Sequence, residues 1–213
     1  MRKGTILYVG GFILPDKTAS AQRVVSNAKL LRDMGYEVVL LSQTIYVENE
    51  SWEEKCYFGF RYFERKVKPV ERNVFKRTPD IEYIKEFVQT LGNVVAVIAY
   101  DFSAGALKML NDYCKANGIK CVGDVTEWYK SGQKTGIRQL VREVEAFYRM
   151  RTLLKKLDGS IIISDFLENY YRKSLRVVNL PPLVDKSDEK WRCAVEDHEE
   201  IQFVYAGSAS REK

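Results

Sequence analysis

Residues 5–42, TILYVGGFILPDKTASAQRVVSNAKLLRDMGYEVVLLS, decide the fold. An apolar run at 5–9 stops at Gly10 and Gly11. Helical spacing follows: Val24, Ala28 and Leu31 share a face, with Val25 and Leu30 beside it. Thr18 suits the N-cap of that helix, and Gly35 falls where a helix end needs positive φ. EVVLLS is then a second apolar run. Near-continuous apolar runs are the mark of strands covered on both faces. Strand, helix and strand in this order make a parallel unit with a right-handed crossover.

The alternation continues outward. NVVAVIAYD, IKCVGD and GSIIISD read as three more strands. SAGALKMLNDYCKANG repeats the helical scheme and stops at Gly118. Residues 136–157 form the longest helical pattern, with Ile137, Leu140, Val141, Val144, Phe147, Tyr148 and Leu154 as its apolar stripe. Between 43 and 79 the pattern is less regular, and FGFRYFERKV can be read as an added strand. The expected fold class is α/β: a Rossmann-like parallel sheet with helices on both faces.

After Val178 the period is lost. NLPPLVDKSDEKWRCAVEDHEE carries a Pro-Pro pair and many charges and reads as a linker. IQFVYAGSASREK then looks like the strand, turn and helix start of another α/β unit. The expected organisation is a domain over 1–178, a linker over 179–200 and the start of a second domain over 201–213. A lone strand there exposes unpaired backbone groups, so pairing with a sheet edge or with a second copy, as a homodimer, is expected.

Totals narrow the function classes. The chain has 213 residues, 46% of them hydrophobic and 30% charged, an ordinary globular composition. No apolar run is long enough to span a bilayer. Its four cysteines, Cys56, Cys114, Cys121 and Cys193, make no CxxC pair, which points to reduced thiols and a cytoplasmic location. A single histidine, His198, argues against a His-based metal site or a Ser-His-Asp triad, so no metal is expected. The net charge of +5 is mild. Lys66, Lys68, Arg72, Lys76 and Arg77 form one basic cluster, and Arg138, Arg142, Arg149, Arg151, Lys155 and Lys156 decorate the long helix. These make either a solvated face or a peripheral contact with the inner membrane face. The aromatics at 57–63 suit a strand core rather than a base-stacking platform, so no nucleic-acid partner is expected.

In open α/β sheets, ligands bind outside the carboxyl ends of the strands. Gly10 and Gly11 end the first strand and Asp101 the third; Asp124 and Glu127 end the fourth, Ser164 and Asp165 the fifth. Two adjacent glycines let a phosphate approach the backbone, and a helix start favours negative charge. The spacing is neither GxGxxG nor a P-loop. Arg23, one turn into the first helix, can hold an anion as a bidentate donor. Asp124 and Glu127 can serve as a general base or orient a hydroxyl. The same residues can equally open a helix, with Asp124 or Thr126 as its cap, and Asp165 reads as a cap.

These motifs, in this order, resemble the N-terminal half of the retaining GT-B glycosyltransferases of family 4. The first βαβ unit, IKCVGDVTEWY, IIISDFLENYY with VVNLPPLVD, and FVYAGSASREK carry the resemblance. It implies two Rossmann-like domains with the active site between them. The N-terminal domain would take a saccharide or lipid-linked acceptor. The C-terminal domain would hold a nucleotide-sugar, which is the donor substrate; no separate cofactor is implied. It implies phosphate contacts at Gly10 and Gly11, and Asp124 and Glu127 where family members often carry a histidine. On this reading the chain by itself would be inactive. Two rival readings are a non-catalytic module that binds an acceptor or a partner, and a GT-B sugar epimerase.

Overall fold

The computed structural model describes residues 3–15, 18–45, 51–67, 81–129, 136–192, 201 and 203, without the side chains of 43–45, 51–52, 65–67 and 138. Among the described residues, eight strands form one sheet: β1 (Thr5–Gly10), β2 (Glu37–Ile45), β3 (Ser51–Tyr57), β4 (Phe60–Val67), β5 (Val94–Tyr100), β6 (Lys120–Val125), β7 (Gly159–Ile162) and β8 (Arg176–Asn179). Their order is β3-β4-β2-β1-β5-β6-β7-β8. Every pairing is parallel except β3 with β4. The order reverses beside β1, which lies between β2 and β5, so the switch point falls where β1 and β5 end.

The helices are α1 (Ala19–Asp33), α2 (Glu82–Leu91), α3 (Ala104–Ala116), α4 (Ile137–Tyr148) and α5 (Asp165–Tyr171). Alternate residues of the central strands feed two cores. Ile6, Tyr8, Val38, Leu40 and Ile98 pack against α1 residues Ala21, Val24 and Ala28. Leu7, Val9, Val39, Leu41 and Val97 face α2, α3 and α5 through Ile84, Leu107, Leu110 and Leu167. The chain is therefore α/β and Rossmann-like, with helices on both faces.

Local chemistry accounts for the element ends. Thr18 caps α1, its hydroxyl accepting from the Ala21 N–H at 3.2 Å, and Gly35 has φ of 95°. Phe58 and Gly59, both with positive φ, make the two-residue turn between β3 and β4. FGFRYFERKV is thus this turn followed by a strand, β4, which inserts between β2 and the edge strand β3. Ser164, not Asp165, caps α5; Asp165 is the first helical residue and accepts from Asn179 Nδ2 at 2.7 Å.

The long helical pattern at 136–157 is not one α-helix. After Tyr148 the backbone passes through a π-helical turn (Arg149–Leu153) and a 3-10 turn (Leu154–Lys156). Residues Met150, Leu153, Leu154 and Leu157 are in the core, whereas no described residue of α4 is fully buried. No helix starts at Asp124 or Thr126; residues 126–129 are irregular.

By contact density the chain divides into a unit at 1–183 and a smaller one at 184–213. In the smaller unit, Asp185 accepts from the Ser187 N–H and hydroxyl, and a 3-10 turn spans Glu189–Trp191. The proposed terminal strand lies outside the described residues except for Ile201 and Phe203, which are exposed. His198, Cys193 and the basic residues at 68–77 also lie outside them.

Candidate functional site

Parallel pairing brings Gly10, Tyr100 and Asp124 into one row across the carboxyl edge, since Gly10 pairs with Tyr100 and Tyr100 with Asp124. Gly10 is required by close approach: a Cβ there would strike the Tyr100 carbonyl oxygen. Gly11 is exposed, and a Cβ there would meet nothing. Only the second glycine therefore leaves its backbone open to an incoming group.

Arg23 and Asp124 form a buried ion pair. Arg23 Nε donates to Asp124 Oδ1 at 3.0 Å and Oδ2 at 3.2 Å, and Nη2 donates to Oδ1 at 2.8 Å. The Tyr8 hydroxyl donates to Oδ2 of the same carboxylate. Asn27 Nδ2 donates to the Tyr8 oxygen at 3.1 Å. Arg23 Nη1 reaches the Leu180 carbonyl at 2.9 Å. The Asp124 side chain is 0% exposed. Burial pushes its carboxyl above the ordinary value, against the pull of the Arg23 guanidinium and the Tyr8 hydroxyl. Burial, with the Asp124 charge beside it, likewise drives the Tyr8 phenol well up. Both oxygens of Asp124 are occupied. In this arrangement the carboxylate has no free face for an incoming hydroxyl, and it ties β1, α1, β6 and the exit of β8 together.

On the other side of this row lies a cavity of about 70 Å³, lined among others by Tyr100, Asp101, Glu127, Tyr129, Arg149 and the wall of Asp124. Asp101 follows β5 with φ of 51°, and its Oδ1 accepts from Arg149 Nη1 at 3.2 Å. The same guanidinium nitrogen donates to the Phe102 carbonyl at 2.7 Å, while Arg149 Nε is buried with no hydrogen-bond partner. The Arg149 guanidinium sits 5.3 Å from the centre of the Tyr129 ring. Burial and a hydrogen bond to Glu127 push the Tyr129 phenol up to about 12. Glu127 itself is exposed. Tyr129 and Arg149 also line a wider groove of about 580 Å³, shared with Trp128, Gln139, Arg142 and Phe147. Cavity and groove thus meet at Tyr129 and Arg149.

Of the residues singled out by sequence, Asp101, Asp124 and Glu127 reach one cavity wall, Arg23 joins them through Asp124, and Gly10 and Gly11 lie at the neighbouring strand end. Tyr8, Asn27, Tyr129 and Arg149 were not singled out. Tyr8 sits inside an apolar strand, where an aromatic ring is unremarkable, and Arg149 reads as one more arginine of a basic helix. A switch from α to π geometry at Arg149 would be the signal, and it has no sequence signature. Among the described residues no group of three or more His, Cys, Asp or Glu side chains could hold a metal ion. No helix among them is long and apolar enough to cross a membrane.

No protein-family model matches the chain, and no curated protein matches it. Among solved structures, the chain is similar to one described as "Trehalose-6-phosphate from E. coli bound with UDP-2-fluoro glucose". The TM-score is 0.53 at 8% identity, over 85% of this chain and 49% of the other. The fold is that of one GT-B half. The chain spans about half the length of that neighbour, and at this identity the likeness speaks for the fold.

Proposed function

We propose that this chain is the acceptor-side half of a glycosyltransferase that moves a sugar from a nucleotide-diphosphate-sugar to a hydroxyl of a saccharide or lipid-linked acceptor. The observation that carries the reading is the recess at the carboxyl edge, in which a small cavity and a wider groove meet at Tyr129 and Arg149. Its lining suits a sugar: Trp128 and Tyr129 bring rings to it, each with a guanidinium over one side, and Glu127, Gln139 and Arg142 offer hydrogen bonds to hydroxyls. The likeness to a structure holding a UDP-sugar supports the nucleotide-sugar part of the reading.

In this reading Glu127 is the carboxylate that contacts the acceptor hydroxyl. It is exposed at the cavity mouth and its neighbour Tyr129 stays protonated as a donor at neutral pH. Asp124 is a positioning residue, since its oxygens hold Arg23 and Tyr8. The open backbone at Gly11 and the start of α1 would face the donor's phosphates. A second Rossmann-like half would bind the nucleotide, as the doubled length of the structural neighbour suggests.

The test is a transfer assay with UDP- and GDP-sugars against saccharide and lipid-linked acceptors. The expected result is no transfer by this chain alone. Sustained transfer that this chain supports by itself would overturn the division of labour between two halves.

A further inference from the structure

The groove at the sheet's carboxyl edge is lined by three arginines, Arg142, Arg149 and Arg151, and by two glutamates, Glu143 and Glu145. Most of these charges are already engaged. Glu145 accepts from the Ala104 N–H, and Glu143 accepts from Gln139 Nε2 at 3.2 Å. Arg149 donates to Asp101 and to the Phe102 carbonyl. Arg142 and Arg151 are different. Both are exposed, and among the described residues neither meets a carboxylate or any other hydrogen-bond acceptor.

Arg151 is nevertheless held in place. Its guanidinium carbon stands 4.4 Å from the centre of the Phe147 ring and 5.0 Å from that of Trp128. The Trp128 ring packs edge-to-face against Tyr170 at 4.8 Å and Phe166 at 5.3 Å, which steadies it in turn. Contact with a ring face uses the flat side of a guanidinium and leaves its rim of N–H donors open. Two rings therefore orient the fork, and its donors stay unused. Trp128 follows Glu127 in the chain, so the fork and the carboxylate at the cavity mouth belong to one recess.

A guanidinium edge pairs with a carboxylate or a phosphate through two parallel N–H···O bonds. Charge separates the two. A phosphate monoester carries about 1.5–2 negative charges near neutral pH, and a carboxylate carries one. The recess already holds Glu127, Glu143 and Glu145, and Arg149 is matched by Asp101. A planar, singly charged group satisfies the Arg151 fork without setting a second charge beside these glutamates.

We propose that the acceptor is an acidic saccharide, and that Arg151 reads its carboxylate while a hydroxyl of the same saccharide meets Glu127. The proposal names the substrate class for the sugar transfer proposed above and rests on that reading. Arg151 is then a specificity-determining residue. Arg142 lines the same groove and adds to its attraction for an anion.

The experiment is titration of the isotope-labelled chain, followed by NMR, with three methyl glycosides that differ only at the exocyclic carbon: a neutral hydroxymethyl, a carboxylate and a phosphate ester. The gluco, galacto and manno series are run in parallel. In at least one series the carboxylate form is expected to bind at least about ten-fold more tightly than the neutral form. Its shifts fall at Trp128 and Arg151, and the preference shrinks as salt is raised. Arg151→Gln is expected to abolish the preference and to leave affinity for the neutral glycoside within about two-fold. Arg151→Lys keeps the charge but loses the fork, and is expected to retain only part of the preference. The amide spectrum of each variant checks that it stays folded. Three results would overturn the proposal and leave the sugar-transfer reading standing: equal affinity for neutral and carboxylate forms in every series, tighter binding of the phosphate ester than of the carboxylate, or a preference that Arg151→Gln leaves intact. Absence of any saccharide binding in the recess would overturn that reading and this proposal with it.

Discussion

Asp124 and Arg23 meet across 101 residues of sequence, and their pairing shows why single residues are harder to read than elements. The end-of-strand rule finds Asp124, and helix phase finds Arg23, but neither says that the two neutralise each other. A carboxylate expected to face the cleft is enclosed by Arg23, Tyr8 and Asn27 instead. This has a measurable consequence. Asp124→Asn leaves the Arg23 charge buried without its counterion, which should cost about 3–5 kcal/mol of stability. Glu127→Gln, at an exposed position, should stay within about 0.5 kcal/mol of the parent. Replacing both partners, Arg23→Met with Asp124→Leu, should recover part of the loss, because no isolated charge remains. Urea unfolding of the four proteins measures this; equal losses for Asp124→Asn and Glu127→Gln would contradict the burial argument.

At the scale of elements, the strands with continuous apolar runs were legible: β1, β2, β5, β6 and β7 fall where the runs lie. The helices α1 and α3 announced themselves by phase and by Thr18, Gly35 and Gly118. The stretch at 136–157 misled for a physical reason. Its stripe keeps helical period throughout, but its first half extends past the sheet and only its second half, from Met150, finds a core. Period reports which residues share a face, not what the face meets. The entry to β7 offers a pH test. The Asp158 carboxylate accepts from Lys120 Nζ at 2.8 Å and from the Cys121 N–H at 2.9 Å. Burial alone would raise its carboxyl, but these two donors outweigh burial and hold it below the ordinary value. Its contribution is thus complete above the unfolded carboxyl value near ~4 and is lost as pH falls through the lower folded value. Asp158→Asn should remove about 1–2 kcal/mol at neutral pH and flatten the acid side of the stability curve. A parent and variant with parallel curves from neutral to acid pH would refute it.

For the whole molecule, the fold class was open to reading because alternating runs and helices leave few topologies. The carboxyl edge on which Gly10, Gly11, Asp101 and Asp124 lie followed from it; the strand order, which reverses beside β1, did not. The recess was not legible. It depends on Tyr129 and Arg149 coming together from an irregular loop and a π-helical turn, and neither has a pattern that a sequence displays. The functional reading rests on that recess taking a sugar. The most direct measurement is titration of the isotope-labelled chain with a panel of mono- and disaccharides, free and phosphate-bearing, followed by amide and side-chain NMR. The account expects saturable shifts at Thr126–Tyr129 and at Arg149, removed by Tyr129→Ala without loss of the fold. Saccharide shifts confined to other parts of the surface, or none across the panel, would contradict it.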